Sequence, residues 1–325
     1  MEKKDLRIVF MGTPEFAVGS LKQLVENGYN VVAVVTQPDK PVGRHGSVLR
    51  PSAVKEYALE HGLPVLQPVK MKDEAFLDEL RSFDADLQVV VAFRMLPEVV
   101  WAMPRFGTFN VHAALLPDYR GAAPINWAVI NGETRTGVTT FFLDHDIDTG
   151  RIIAQREFPI PDDADVEYVY NGLMALGADL CRHTVDLVLQ TDGCVPSQPQ
   201  QESEALHAAP KIFKETCQID LSLTAKRIYD FVRGLSPVPG AWAMLAPRDA
   251  EAGAAQVLKV YKAAKTGSAC HACAPGTLKA EHGHLYVATT DEWLEIVELQ
   301  AAGKKRMAAR DYLNGFKHPE DFLLK

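Results

Sequence analysis

Apolar residues fall into short clusters separated by helical spacing along the first half of the chain. Leu6 to Met11 is a compact apolar run that ends at Gly12. Pro14 then opens a helical pattern, with Phe16, Leu21, Leu24 and Val25 on one face and a stop near Gly28. Val31 to Val35 predicts a second buried strand, Val65-Leu66 a short third, Leu87 to Phe93 a fourth and Phe109 to Ala113 a fifth. Helices are expected from Pro51 to Gly62 and from Glu74 to Ser82. Continuous apolar strands divided by helices imply a parallel sheet covered on both faces. Ligands of such sheets bind beyond the carboxyl ends of the strands.

The pattern then changes. Gly137 to Leu143 and Arg151 to Ile160 read as an antiparallel hairpin around the acidic loop Asp144-His145-Asp146-Ile147-Asp148-Thr149-Gly150. A long helix is expected over Asp165 to Gln190. Residues 191–210 are rich in Pro, Gln, Gly and Ser and read as a linker. Beyond them come one helix, Leu223 to Leu235, and about five short β segments: Ala241 to Leu245, Val257 to Ala263, Gly276 to Leu278, Leu285 to Ala288 and Leu294 to Leu299. The expected fold class is α/β. A Rossmann-like parallel-sheet domain over 1–190 precedes a small oligonucleotide-binding-type (OB-like) β-barrel over 211–325.

Length supports this division, since 325 residues suit two domains. No apolar run is long enough to span a bilayer, and Ile8 to Met11 is too short for a signal-peptide core, so a cytoplasmic protein is expected. The five cysteines are odd in number and irregularly spaced, which disfavours a disulfide framework. Cys270 and Cys273 lack the further ligands of a structural zinc site, so no metal is expected. The net charge of −8 is unevenly spread. Up to residue 205 there are 18 Lys+Arg against 29 Asp+Glu, a balance of −11; beyond it there are 16 against 13, a balance of +3. The second half could therefore meet an anionic partner, although ordinary scatter would give the same contrast.

Chemistry concentrates at Asn110-Val111-His112. Residues two apart in a strand share a face, so a carboxamide and an imidazole project together at the sheet's carboxyl edge. That pair suits a reaction that builds negative charge on a carbonyl oxygen, and would equally suit a strand end satisfied by backbone. Asp148 can orient an imidazole and relay a proton, or can be one of three acids on a solvated loop. The loop lacks the glycine and terminal Glu of an EF-hand. Gly12-Thr13-Pro14-Glu15-Phe16 is neither a dinucleotide fingerprint nor a phosphate loop.

Together these segments resemble the methionyl-tRNA formyltransferases, of the folate-dependent formyltransferase group. The likeness covers nearly the whole chain. It includes Arg7 to Phe16 (RIVFMGTPEF), Thr36 to Arg44 (TQPDKPVGR) and Phe109 to Pro124 (FNVHAALLPDYRGAAP). Asp148-Thr149-Gly150, Ile219-Asp220, Ala302 to Met307 and Leu313-Asn314 complete it. The resemblance implies a catalytic trio of Asn110, His112 and Asp148, with 10-formyltetrahydrofolate as co-substrate. It implies a methionyl initiator tRNA as acceptor and no metal; a monomer is expected.

Folate contacts are implied for Phe93, Arg94, Met95, Leu96, Leu115, Leu116, Pro117, Asp144 and Asp146. tRNA contacts are implied for Arg44, Arg50, Lys262, Lys304, Lys305 and Arg306, and a methionine-pocket wall for Phe16. The chain departs from the family in three places. Phe93 to Pro97 is one residue shorter than the usual Tyr-Gly-Leu-Ile-Leu-Pro. Ala113-Ala114 replaces a usual Gly-Ser. His45, Gly46 and Ser47 stand where two lysines usually follow the loop arginine, with Arg50 placed to compensate. Sugar-nucleotide N-formyltransferases would share the trio and the folate but lack the Thr36 to Arg44 and Ala302 to Met307 segments. The hydrolase-type domain of formyltetrahydrofolate dehydrogenase would need a long extension. A non-catalytic RNA-binding barrel would leave the trio without a role.

Overall fold

The computed structural model describes residues 1–42, 48–201, 203, 205–249 and 254–325. It resolves two compact units. The first comprises residues 1–124, 136–159 and 170–209; the second comprises 125–135, 160–169 and 210–325. The units interleave, because 125–135 and 160–169 lie inside the first 190 residues yet pack with the second unit.

In the first unit, strands β1 (Ile8–Gly12), β2 (Val31–Val35), β3 (Lys40–Val42), β4 (Val48–Arg50), β5 (Val65–Leu66), β6 (Leu87–Val91), β7 (Thr108–His112), β8 (Arg120–Gly121), β9 (Arg135–Phe142), β10 (Ile152–Pro159) and β11 (Ala208–Ala209) follow one another. Helices α1 (Glu15–Glu26), α2 (Ala53–Glu60), α3 (Glu74–Ser82), α4 (Glu98–Trp101) and α6 (Val166–Gln190) intervene, while α5 (Pro124–Ile130) belongs almost wholly to the second unit. Seven strands form one sheet in the order β10-β9-β7-β6-β1-β2-β5. The five from β5 to β7 are parallel, and β9 turns antiparallel to β7. Every residue of β1 and β6 is buried, as continuous apolar strands require. Local chemistry sets the helix starts: Ser52 Oγ accepts from Lys55 N (3.1 Å) and Asp73 Oδ2 from Phe76 N (3.3 Å). Strand order reverses between β1 and β6, whose carboxyl ends lie at Gly12 and Val91, the place where ligands of such sheets bind.

The expected linker carries regular contacts. Gln198 exchanges both backbone hydrogen bonds with Ile152 (2.8 and 2.9 Å), and β11 pairs in parallel with β8. Sequence patterning also leaves out α4, α5 and the β3–β4 hairpin, all of seven residues or fewer per element.

The second unit holds α7 (Ala225–Gly234), β12 (Ala241–Pro247), β13 (Gln256–Ala269), β14 (Leu278–Glu281), β15 (His284–Ala288), β16 (Glu292–Ala301), β17 (Met307–Ala308), α8 (Ala309–Tyr312) and β18 (Phe322–Leu324). Its sheet runs β14-β15-β16-β13-β12-β18 with antiparallel neighbours. An antiparallel bridge from Thr277 to Leu323 joins the two edges, which nearly closes the sheet into a barrel. The alternating apolar face of β12, β13, β15 and β16 meets Ile228, Val232 and Leu235 in one core. β13 is 14 residues long, twice the expected segment, because its far end is solvated and carries little apolar signal. β18 went unpredicted for the opposite reason: three residues are too few for a period.

Candidate active site

β7 delivers Asn110 and His112 to the carboxyl edge, in register with Val90 of β6 and with Phe141 and Thr139 of β9. Two residues of strand separate their Cα atoms by about 6.6 Å. Asn110 is half-buried, and among the described residues no donor or acceptor meets its carboxamide. His112 is 5% exposed. Its Nε2 lies 2.9 Å from the Tyr119 carbonyl oxygen. A carbonyl only accepts, so Nε2 carries a hydrogen and Nδ1 is the edge left for chemistry.

Nδ1 faces Asp148 Oδ2 at 3.8 Å. That distance is beyond a formed hydrogen bond, as catalytic contacts often are without substrate. Oδ2 also accepts from Gly121 N at 2.9 Å. The carboxylate is thus held by the β8 loop and aimed at the imidazole. The Asp148 backbone adopts φ +57°, a left-handed conformation that Asp tolerates better than most residues. The acidic loop is tied internally: Asp144 Oδ1 accepts from Thr149 Oγ1 (2.7 Å) and from Asp146 N (3.3 Å). Gly150 closes it, where a Cβ would sit 1.7 Å from Phe142 O.

The loop after β7 is fixed from below. Thr139 Oγ1 donates to Ala114 O (2.7 Å) and accepts from Leu116 N (3.1 Å), and Gln155 Nε2 donates to Leu116 O (2.8 Å). The Leu116-Pro117 peptide is cis.

The other expected contact residues divide. Met95 is 70% exposed and Phe93 is half-buried, both just after β6. Asp144 and Asp146 are exposed on the acidic loop, and Leu115 and Pro117 are partly accessible. Three of the expected contact residues are buried. Leu96 belongs to the core formed with Val9, Met11 and Val100, and Leu116 packs with Phe141 and Ile152; neither side chain is a free pocket wall. Phe16 is 5% exposed and meets Tyr170 edge-on at 5.3 Å, so its ring packs α1 against α6. Helical spacing alone cannot tell such a core face from a pocket wall.

Arg94 is also committed. Its Nη1 donates to Val69 O at 3.0 Å and its Nη2 to Pro68 O, which ties the shortened Phe93 to Pro97 segment to the chain after β5. Burial lowers its pKa.

In the polar loop, Arg44 lies outside the described residues, while Arg50 is exposed at the end of β4. In the second unit, Lys262, Lys304 and Lys305 are exposed. Arg306 instead pairs with Glu298 and covers the Tyr261 ring at 4.6 Å. Lys262 and Arg306 share a 240 Å³ cavity with Glu298, Tyr261 and Arg233. Cys270 is buried and donates to Thr289 O (3.2 Å) in a small cluster with Ala288 and Trp293. Sequence reasoning did not single out Tyr119, Gly121 or Gln155, whose parts are played through backbone or support contacts and carry no recognisable spacing.

Comparison with known proteins decides the family. The formyl transferase model matches residues 6–184, and the formyl transferase C-terminal domain model matches 211–317. The methionyl-tRNA formyltransferase of Parabacteroides distasonis is 61% identical over the full length of both chains. That of Phocaeicola vulgatus is 60% identical over 98% of each. The chain belongs to the methionyl-tRNA formyltransferase family. Among solved structures, the sugar 3N-formyl transferase WlaRD superposes with a TM-score of 0.63 at 18% identity, covering 92% of this chain and 99% of that one. HypX from Aquifex aeolicus in complex with tetrahydrofolic acid gives 0.62 at 17%, covering 96% and 48%. At those identities the likeness is one of fold. Among the described residues, no helix is long and apolar enough to cross a membrane.

Proposed function

We propose that this formyltransferase moves the formyl group of 10-formyltetrahydrofolate onto the α-amino group of methionyl initiator tRNA, giving N-formylmethionyl-tRNA for translation initiation. The observation that carries the proposal is the Asp148 carboxylate facing the buried His112 imidazole at 3.8 Å, at the carboxyl end of β7, one strand from the point where strand order reverses.

The neutral amine attacks the formyl carbon, and the carbonyl oxygen gains negative charge as the carbon becomes tetrahedral. The Asn110 carboxamide and the protonated His112, donating from Nδ1–H, stabilise that oxygen; Nε2–H is already given to the Tyr119 carbonyl. Asp148 holds the imidazole and takes the proton from the attacking nitrogen, through water where the reach requires it. The carbon–nitrogen bond to N10 of the folate then breaks, and N10 leaves with the proton that Asp148 took, which returns the carboxylate. The charge balance is complete without a metal. We assign the folate's ring to the sheet's carboxyl edge beside Phe93 and Met95 and the acidic loop, with Leu96 and Leu116 contributing backbone only. Arg50, Lys304 and Lys305 supply exposed positive charge for tRNA phosphates. We read the enzyme as a cytoplasmic monomer, which light scattering at assay concentration checks.

The test offers the protein 10-formyltetrahydrofolate with methionyl initiator tRNA, and separately with an aminosugar nucleotide. Formylation of the aminoacyl-tRNA is expected. Formylation of the sugar amine alone would move the substrate to the sugar-modifying class.

A further inference from the structure

We propose that Gln200, in the segment that sequence reads as a linker, is a positioning residue that sets the catalytic carboxylate; this rests on the assignment of Asp148 above. Both hydrogens of its side-chain amide are used on the acidic loop. Nε2 donates to Asp148 O and to Gly150 O, each at 2.8 Å. Its Oε1 accepts from Arg120, from Nε at 3.0 Å and from Nη2 at 2.7 Å. One half-buried amide therefore spans the two loops that hold the Asp148 side chain, because Gly121, next to Arg120, donates its N–H to Asp148 Oδ2.

The need for such a clamp lies in the backbone. Asp148 stands at φ +57°, a sparsely populated conformation even for Asp, which contacts around it stabilise. The peptide carbonyls on either side of Thr149 are the acceptors, so Gln200 grips the turn that aims the carboxylate. The rest of the segment is built to hold Gln200 in place. Gln198 is bridged to Ile152 just before it. After it, His207 donates from its backbone to Asp118 Oδ1 (2.6 Å), Tyr119 N donates to His207 O (2.8 Å), and β11 pairs with β8. Tyr119 is the residue whose carbonyl receives His112 Nε2. The strap thus contacts the supports of both the base and the imidazole. A Cβ at Gly121 would lie 2.4 Å from Ala209 O, which leaves no room for the strap to shift.

Single-turnover formylation, with enzyme in excess, tests this in Gln200→Ala, Gln200→Glu, Asp148→Asn and the Gln200→Ala/Asp148→Asn double variant, alongside thermal melts. Gln200→Glu keeps the acceptor for Arg120 but loses both donors to the loop. Both Gln200 variants are expected to lose about 10–100-fold in rate, the size typical of a support contact, with KM for each substrate within about twofold of wild type. The loss is expected to vanish in the Asp148→Asn background, because a clamp on an absent carboxylate has nothing left to set. Multiplying losses in the double variant, or wild-type rate in Gln200→Glu, would overturn the proposal. Wild-type rate in Asp148→Asn would instead overturn the catalytic assignment beneath it, so the two failures are distinct.

Discussion

The His112 imidazole stops 3.8 Å from the Asp148 carboxylate while its opposite nitrogen is spent on the Tyr119 carbonyl. The ring is therefore fixed from behind and open only toward the acid. A movement of Asp148 inward by about 1 Å would complete the contact.

Replacement of Gly150 tests how tightly the acidic loop is closed. Its Cβ would fall 1.7 Å from Phe142 O, a rigid backbone atom. Gly150→Ala should cost about 1–3 kcal/mol or more through overpacking and should abolish turnover with it. Gly315→Ala, with nothing within 4 Å of the added Cβ, should stay within about 0.5 kcal/mol of wild type. Chemical denaturation of both variants measures the contrast.

The acid side of the stability curve should carry a small contribution from Asp162. The hydrogen bond from Lys265 holds this carboxyl below its ordinary value. A depressed folded pKa stabilises above the unfolded value of about 3.9, and the contribution disappears as pH falls through the folded value. Both side chains are well exposed, so the effect should be under about 1 kcal/mol. Asp162→Asn should therefore destabilise at pH 7 and converge with wild type near pH 2, followed by urea titration.

Thiol reactivity should follow burial. Complete burial pushes the Cys181 thiol up to about 12, and burial also raises Cys217 and Cys270. Cys194 is exposed. An aromatic disulfide reagent at pH 8 should label Cys194 first and Cys273 more slowly. The three buried thiols should react only after denaturation.

Contact with tRNA phosphates should appear in the salt dependence of binding. Lys304→Ala and Lys305→Ala should each reduce the slope of log K against log salt by about 0.7–0.9 per phosphate lost, while single-turnover rates at saturating tRNA stay the same. Arg306→Ala should have a smaller effect, because Glu298 already occupies that guanidinium.

Patterning made the parallel sheet legible because β1 and β2 are uninterrupted apolar runs and β6 is broken only by the buried Gln88. Asn110 and His112 were legible through a strand period of two, and Asp148 through the family motif. What stayed hidden depends on tertiary partners. Phe16 and Leu116 look like any accessible apolar residue until their neighbours are placed. Gln200 sits in a Pro- and Gln-rich stretch whose composition signals a linker, and its hydrogen bonds reach 52 and 80 residues back along the chain. Arg306 reads as a free charge in a basic run, and only the β16–β17 pairing brings Glu298 beside it.

The most direct measurement is single-turnover formyl transfer from 10-formyltetrahydrofolate to methionyl initiator tRNA by wild type, His112→Ala and Asp148→Ala at saturating substrates. Wild type should give N-formylmethionyl-tRNA, and each variant should lose at least about 10²–10³ in rate while keeping the wild-type melting profile. Full-rate transfer by either variant would contradict the account.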